Sequence, residues 1–403
     1  EYFRLIAFYL DFSFDTWISY KNLNFQFQVD PFEHWFLNID GKVVQQAGSK
    51  WTAYATEDGL MDAPVRVIQT KSGQIWAAGS HQGVAATALF LEDGSWQLYT
   101  HPNLSWGIDY RAILEDRNGS LWFGSAVDVE VDKGFQSGVL QLVNPMEADK
   151  QWRHFKFNEN GLTQSAYYGL AQSVDGRIWA GGSKFLNYDG KQWQVHPDAR
   201  LQQYVNITTS DQGLLLVGSR FYGVFLFDGE SWINYSSSEG LSSNTIISAD
   251  ILSKDHMYVA TENGICRFDG TSWVGNVFPS DFNMSFEGGM ILHDKQGGIW
   301  VNKSSRSWKR RAFPHNNRAN IDANFIAHHY KQDQTPPETE ITLFSEQVSS
   351  DGNTIIKWEG NDYFVQSAKK DLMFSYKLGD ENWTPFSKED HFTFLGLKSG
   401  LLY

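Results

Sequence analysis

The sequence predicts an all-β chain, a seven-bladed β-propeller followed by a partial immunoglobulin-like β-sandwich. Three observations carry this. Trp residues after Asp-Gly or similar turns recur at Trp51, Trp96, Trp152, Trp193, Trp232, Trp273 and Trp308, at spacings of 45, 56, 41, 39, 41 and 35 residues. A segment ending in small residues also recurs, at 73–79, 119–124, 176–182 and 213–218, with weaker copies at 34–37, 257–260 and 298–301. The clearest copy, 240–274, reads as four short strands joined by three tight reversals. One such meander cannot bury both faces. Stacking on the next copy covers one face, and closing the ring covers the last.

Taken in order, residues 1–20 echo the third and fourth strands of a repeat, because Phe14-Asp15-Thr16-Trp17 resembles Phe227-Asp228-Gly229-Glu230-Ser231-Trp232. The full repeats follow at 22–55, 64–100, 109–157, 166–196, 203–236 and 244–277. The last repeat shows 289–293 and 299–301 and then loses the pattern. Mixed termini would close the ring, with 289–302 as its two inner strands and 1–20 as its two outer ones, so that no edge stays open. The rival reading takes 308–313 as the third strand. The propeller then spans 1–316. A linker at 317–338 contains the rigid Pro336-Pro337 pair and one candidate strand at 325–331. Residues 339–403 hold the sandwich, with strands at 339–344, 353–358, 373–378 and 391–395.

Composition narrows the function. A formal charge of −14 over 403 residues argues against a nucleic-acid partner. The single Cys266 rules out an internal disulfide and a thiolate zinc cluster, and reads as a small buried filler. High counts of Trp (16), Tyr (17) and Phe (29) suit wedge-shaped gaps between twisted sheets. No apolar run is long enough to cross a bilayer. The chain begins at Glu1 and ends inside a strand pattern, so it reads as a piece of a longer protein, reaching a membrane only through segments beyond it. Asn103, Asn118, Asn206, Asn234, Asn283 and Asn302 head Asn-x-Ser/Thr triplets.

Asp128, Glu130 and Asp132 alternate and could gather around calcium. They lack a recognised cation-loop pattern, and a solvated hairpin edge is the preferred reading. The basic run 307–311 reads as a solvated edge before an anion site. His328 and His329 point to opposite faces of a strand and do not share a metal. No metal and no cofactor is expected. No nucleophile elbow, His-Glu-x-x-His or Gly-rich phosphate loop occurs, so enzymatic activity is not expected of this region.

The repeats resemble the two-component regulator propeller family. The resemblance lies in Gly240-Leu241-Ser242-Ser243-Asn244, in Asp-x-x-Gly-x-x-Trp at 116–122 and 294–300 with a shortened form at 175–179, in Phe-Asp-Gly-x-x-Trp at 227–232 and 268–273, and in Gly59-Leu60 and Gly161-Leu162. The tail resembles the Y_Y_Y domain through Phe374-Ser375-Tyr376-Lys377-Leu378, Glu381-Asn382-Trp383 and Leu397-Lys398-Ser399-Gly400. The resemblance implies an extracytoplasmic sensor on the periplasmic or extracellular side of a membrane-anchored protein, with its output domain elsewhere. Some family members sense carbohydrate breakdown products, and a kinase sensor suits a homodimer.

A propeller of this strand order gathers two kinds of loop on one face, here called the link face. These are the loops between second and third strands, and the links from each fourth strand to the next sheet. The links supply Trp106, Tyr110, Arg111, Tyr167, Tyr168 and Tyr204. The loops supply Arg220 and Tyr222, with His81, Lys184, Phe221 and Glu262 near them. Aromatic faces stack on sugar rings and arginine fixes hydroxyls or carboxylates, so the expected ligand is an oligosaccharide or another small molecule. The plainer alternative is that the four tyrosines of the links pack at the channel mouth. A protein-interaction scaffold and a polysaccharide lyase or hydrolase are the competing functions.

Overall fold

The computed structural model describes residues 16–126, 137–163, 166–202, 206–268, 270–275, 278, 289–294, 298–304, 325–331, 338–343, 351–361, 372–377, 384 and 386–397. They fall into two compact units, Ser19–His329 and the termini Glu1–Ile18 with Tyr330–Tyr403.

The larger unit is built of four-stranded sheets. The first is Leu23–Asp30, Glu33–Asn38, Val43–Ala47 and Lys50–Tyr54. The second is Ala63–Gln69, Ile75–His81, Val84–Phe90 and Trp96–Thr100. The third is Ile108–Glu115, Leu121–Ser125, Gly138–Leu142 and Trp152–Lys156. Tyr167–Gln172, Ile178–Gly182, Leu186–Tyr188 and Trp193–Val195 make the fourth. Asn206–Thr209, Leu215–Gly218, Val224–Phe227 and Trp232–Tyr235 make the fifth, and Ile246–Ser253, His256–Thr261, Gly264–Phe268 and Trp273–Val274 the sixth. Each of these six is a meander in chain order. The first strand of each sheet lies against the first strand of the next, which makes the fold a propeller.

The seventh sheet departs from that rule. Its order from the inside is Met290–His293, Gly298–Ser304, Phe325–Lys331 and Thr16–Lys21. The two inner strands are those expected, and the N-terminal segment supplies the outermost. The third strand is neither 1–20 nor 308–313. It is Phe325–Lys331, which the sequence reading placed in the linker. The reason is packing: Phe325 and Ala327 alternate inward, 7% and 0% exposed, and Ala327 joins a core of Phe25, Phe36, Val44 and Trp300. Residues 1–15, Trp308 and the basic run 307–311 lie outside the described residues, as do Asp128, Glu130, Asp132 and the Pro336-Pro337 pair.

Ring closure joins the first sheet to the seventh. The Phe25 ring stacks on Trp300 at 3.8 Å and 2°, and His329 stacks on Trp300 at 4.2 Å. Asn302, fully buried, accepts from the Phe25 amide at 2.9 Å and donates Nδ2 to the Phe25 carbonyl at 2.8 Å. Smaller bridges of the same kind tie other neighbours. Gln26 Oε1 accepts from Val67 N at 2.9 Å, and Asp250 Oδ2 accepts from His293 N at 2.6 Å. The burial of Asn302 also removes it from the glycosylation candidates, whereas Asn103 and Asn118 are exposed.

The recurring motifs turn out to be joints of the fold. Asp116 is buried and accepts from the amides of Asn118 and Ser120, both at 2.9 Å, and from Trp122 Nε1 at 2.8 Å. It therefore fixes the hairpin between the first and second strands. In the fourth sheet the matching position is Ser173 and not Asp175, because Ser173 Oγ accepts from Trp179 Nε1 at 2.7 Å. The Gly-Leu pairs lock each link under the next sheet. Leu60, Leu162 and Leu241 are buried, and Gly59 and Gly161 adopt φ of +87° and +80° against the carbonyls of Trp96 and Trp193. Trp96, Trp193 and Trp273 are buried while Trp51 is half exposed, so not every landmark Trp fills a wedge. Cys266 is buried in the sixth sheet, and burial raises its thiol pKa despite Ser242 beside it.

His101 is expected to make the fold acid-sensitive. Its ring lies 4.5 Å from Trp152, and Nε2 is 2.9 Å from Thr87 Oγ1. Burial, and then the nearby His154, lower its pKa to about 4. The unfolded chain takes this proton near the ordinary value and the folded chain only at about 4. Stability from this group is therefore complete above about pH 6.5 and falls as pH drops towards 4, by up to about 3 kcal/mol. Urea unfolding at pH 7 and pH 4.5 should show the loss, and His101→Gln should remove most of it. An equal loss in that variant would mean other groups set the acid limit.

The smaller unit contains a three-stranded antiparallel sheet, Glu338–Leu343, Thr354–Asn361 and His391–Phe394. Phe374 pairs with Ser387, and the Tyr376 ring sits 5.3 Å from Trp358 and 4.8 Å from Phe392. The strands expected at 339–344, 353–358 and 391–395 are present within a residue or two, except that the middle one runs on to Asn361, whereas the strand expected at 373–378 is reduced, among the described residues, to the single Phe374–Ser387 bridge. Residues 381–383 lie outside the described residues, and no second sheet of this unit is among those described.

Candidate ligand site on the link face

Five of the seven inner strands do not begin regularly. Register shifts interrupt them at Phe25/Phe27, Pro64/Arg66, Ile108/Ile113, Tyr167/Gly169 and Ile246/Ser248. Each lies at the strand's start, towards the link face. A bulge breaks the two-residue alternation and re-aims the side chains beside it. At Pro64 the bulge leaves Arg66 half-buried, whereas Phe25, Ile108, Tyr167 and Ile246 at the other shifts stay buried.

A cavity of about 370 Å³ lies at this end, beside the first two sheets, with Asn24, Gln26, Asp62, Arg66, Tyr110 and Met290 among its lining residues. Arg66 follows the bulge at Pro64 and is half-buried. Its Nη1 lies 3.9 Å from Met290 Sδ, and no described carboxylate is within ion-pair distance. Burial pushes its pKa down to about 10, against the opposing influence of Tyr110. Gln26 is spoken for, donating to Asn24 Oδ1 at 2.9 Å and accepting from Val67. Asp62 accepts from Gln82 N at 3.0 Å and stands 3.9 Å from His81.

Three of the residues predicted from sequence come together here. The Arg111 guanidinium lies 5.0 Å from the Tyr110 ring centre and 4.5 Å from that of Tyr168. It forms a two-pronged pair with buried Asp109, with both bonds at 3.0 Å. Burial is the largest influence and opposes its charge, but Asp109, Tyr110 and Tyr168 together outweigh it and hold Arg111 firmly protonated. Tyr110 joins this group to the cavity.

The others are placed differently. Tyr167 is fully buried in the core shared by the third and fourth sheets, where burial drives its phenol pKa well up. Trp106 is 5% exposed, and its carbonyl accepts from Ser80 Oγ at 2.7 Å. Tyr204 lies outside the described residues. Arg220 and Tyr222 belong to a separate loop of the fifth sheet. Arg220 lies 5.4 Å from the Phe221 ring centre, and Phe221 and Tyr222 are 54% and 47% exposed. Glu262 accepts from Ser243 Oγ at 2.8 Å.

Sequence reasoning missed Arg66. The available signal was a lone cation in the apolar run Val65, Val67, Ile68, directly after a proline that opens a strand. Among the described residues no three His, Cys, Asp or Glu side chains group to hold a metal.

The segment that frames Tyr110 and Arg111 also carries the family signal. Residues 104–126, covering the link, inner strand and second strand of the third sheet, match the two component regulator propeller. The chain carries a two-component regulator propeller repeat. Solved structures with the same fold include the extracellular domain of the BT4673 system of B. thetaiotaomicron, in two determinations. One, named a hybrid two component system, is 16% identical with a TM-score of 0.53, over 95% of this chain and 53% of that one. The other, named a one component system, is 15% identical with a TM-score of 0.51, over 97% and 57%. A catalytically inactive virginiamycin B lyase from Staphylococcus aureus is 11% identical with a TM-score of 0.51, over 78% of this chain and 99% of that one. At these identities the likeness concerns the fold. The chain spans little more than half of the two BT4673 structures. No curated protein sequence matches it. Among the described residues no helix is long and apolar enough to cross a membrane.

Proposed function

We propose that this two-component regulator propeller is the extracytoplasmic ligand-sensing part of a signalling receptor, with its site in the link-face cavity. The observation that carries the reading is the cavity itself. At about 370 Å³ it falls in the range of small-ligand sites. Its lining mixes a cation, carboxylates, amides and a phenol, the set that would orient a hydroxylated ligand, and the Tyr110–Arg111–Tyr168 stack stands beside it. An oligosaccharide end suits those groups. The smaller unit would be a Y_Y_Y-like sandwich that passes the signal to a domain beyond residue 403.

A thermal-shift screen of the chain against neutral and acidic oligosaccharides, with and without calcium, tests this. One sugar class should raise the melting temperature, since a ligand at 100 times its Kd stabilises the native state by about 2.7 kcal/mol. Tyr110→Ala should abolish the rise. Silence from a well-folded sample would favour the second reading, a protein-binding scaffold. Exposed Phe221 and Tyr222 on the same face support that alternative.

A further inference from the structure

We propose that the link-face cavity takes a hydroxylated monocarboxylate, such as a uronic acid, whose carboxylate is gripped by Arg66 with the Tyr110 phenol nearby. This rests on the cavity being the ligand site proposed above, and it adds the ligand's charge.

Two arginines near the starts of neighbouring inner strands are treated in opposite ways. Arg111 has its own carboxylate, buried Asp109, engaged through both oxygens. Arg66 has none among the described residues, only the weakly accepting Met290 sulfur at 3.9 Å. The chain has 47 acidic residues against 33 basic ones, so a half-buried guanidinium left without a carboxylate is conspicuous. A buried charge needs a partner, and the open volume next to Arg66 is where an outside anion would supply one. The planar guanidinium fork matches a carboxylate. Asp40 and Asp62 line the same cavity and would repel a dianion such as phosphate, which favours a single negative charge. The same two carboxylates accept from hydroxyls. Asn38 Oδ1 is occupied by the amides of Asp40 and Lys42, both at 2.9 Å, while its Nδ2 has no partner among the described residues. That amide is a donor for a ring hydroxyl.

The test is titration of the whole chain with galacturonate, galactose, acetate and inorganic phosphate, by calorimetry and thermal shift. Galacturonate should bind at least about tenfold tighter than galactose and than phosphate. Arg66→Gln should erase the preference over galactose, Arg66→Lys should keep part of it, and Asn38→Ala should weaken both sugars by a similar factor. Circular dichroism checks the fold of each variant. Without ligand, Arg66→Met should melt no lower than wild type, because it removes an uncompensated cation. A purely structural Arg66 would give a lower melting point instead. Equal binding of the two sugars, a preference that survives Arg66→Gln, or no binding of galacturonate would each overturn the proposal. A neutral oligosaccharide that stabilises wild type and Arg66→Gln alike would sink the carboxylate claim and leave the sensing function standing.

Discussion

Asn302→Ala is expected to destabilise the larger unit by about 2–5 kcal/mol, a fall of roughly 3–8 °C in melting temperature. The side chain supplies both hydrogen bonds to Phe25, at 2.9 and 2.8 Å, and is fully buried. Truncation leaves a backbone N–H and a C=O without partners where water does not reach, and that loss exceeds the value of the bonds themselves. The position also matters because the bonds join the first and seventh sheets, so their loss loosens the ring and not one hairpin. Asn302→Asp should be no better, since it cannot donate to the Phe25 carbonyl and buries a charge. Urea unfolding followed by tryptophan fluorescence measures the effect. A loss below about 1 kcal/mol would mean that the Phe25–Trp300 stack closes the ring without help.

Gly59→Ala should cost at least about 3 kcal/mol, far more than Gly119→Ala at about 1 kcal/mol. The two glycines share nearly the same backbone, φ +87° and +82°. They differ in what a Cβ would meet. At Gly59 it would sit 2.1 Å from the Trp96 carbonyl oxygen, and at Gly119 nothing lies within 4 Å. The comparison separates conformational strain from close approach, and Gly161, 2.2 Å from the Trp193 carbonyl, should behave like Gly59. Equal losses at Gly59 and Gly119 would show that the link shifts away easily, and that the Gly-Leu pair serves only the turn.

These joints explain why so much of the fold was readable. Each repeat announces itself through local needs: a left-handed glycine in the hairpin at Gly119, a carboxylate at Asp116 to hold it, and a leucine such as Leu162 to go under the next sheet. Local needs leave local marks, and six of the sheets were legible for that reason. The seventh was legible only in its first two strands. Phe325–Lys331 carries ordinary alternation, and nothing local says which sheet it joins. That choice is made by the Trp300 core, assembled from residues about 300 positions apart.

The candidate site divides in the same way. Chain order and the repeat by themselves determined the all-β propeller and the face where loops and links gather, but that Tyr110, Arg111 and Tyr168 come together there is seen only in the structure. Only the tertiary structure decided that Tyr167 and Trp106 are buried, that Asp109 neutralises Arg111, and that Arg66 stands beside a cavity without a carboxylate among the described residues. For Arg66 the physical reason is the bulge at Pro64. Alternation predicts which side of a regular strand a residue faces, but a one-residue slip at the start of the inner strands reverses that assignment, and only packing between neighbouring sheets sets where the slip occurs.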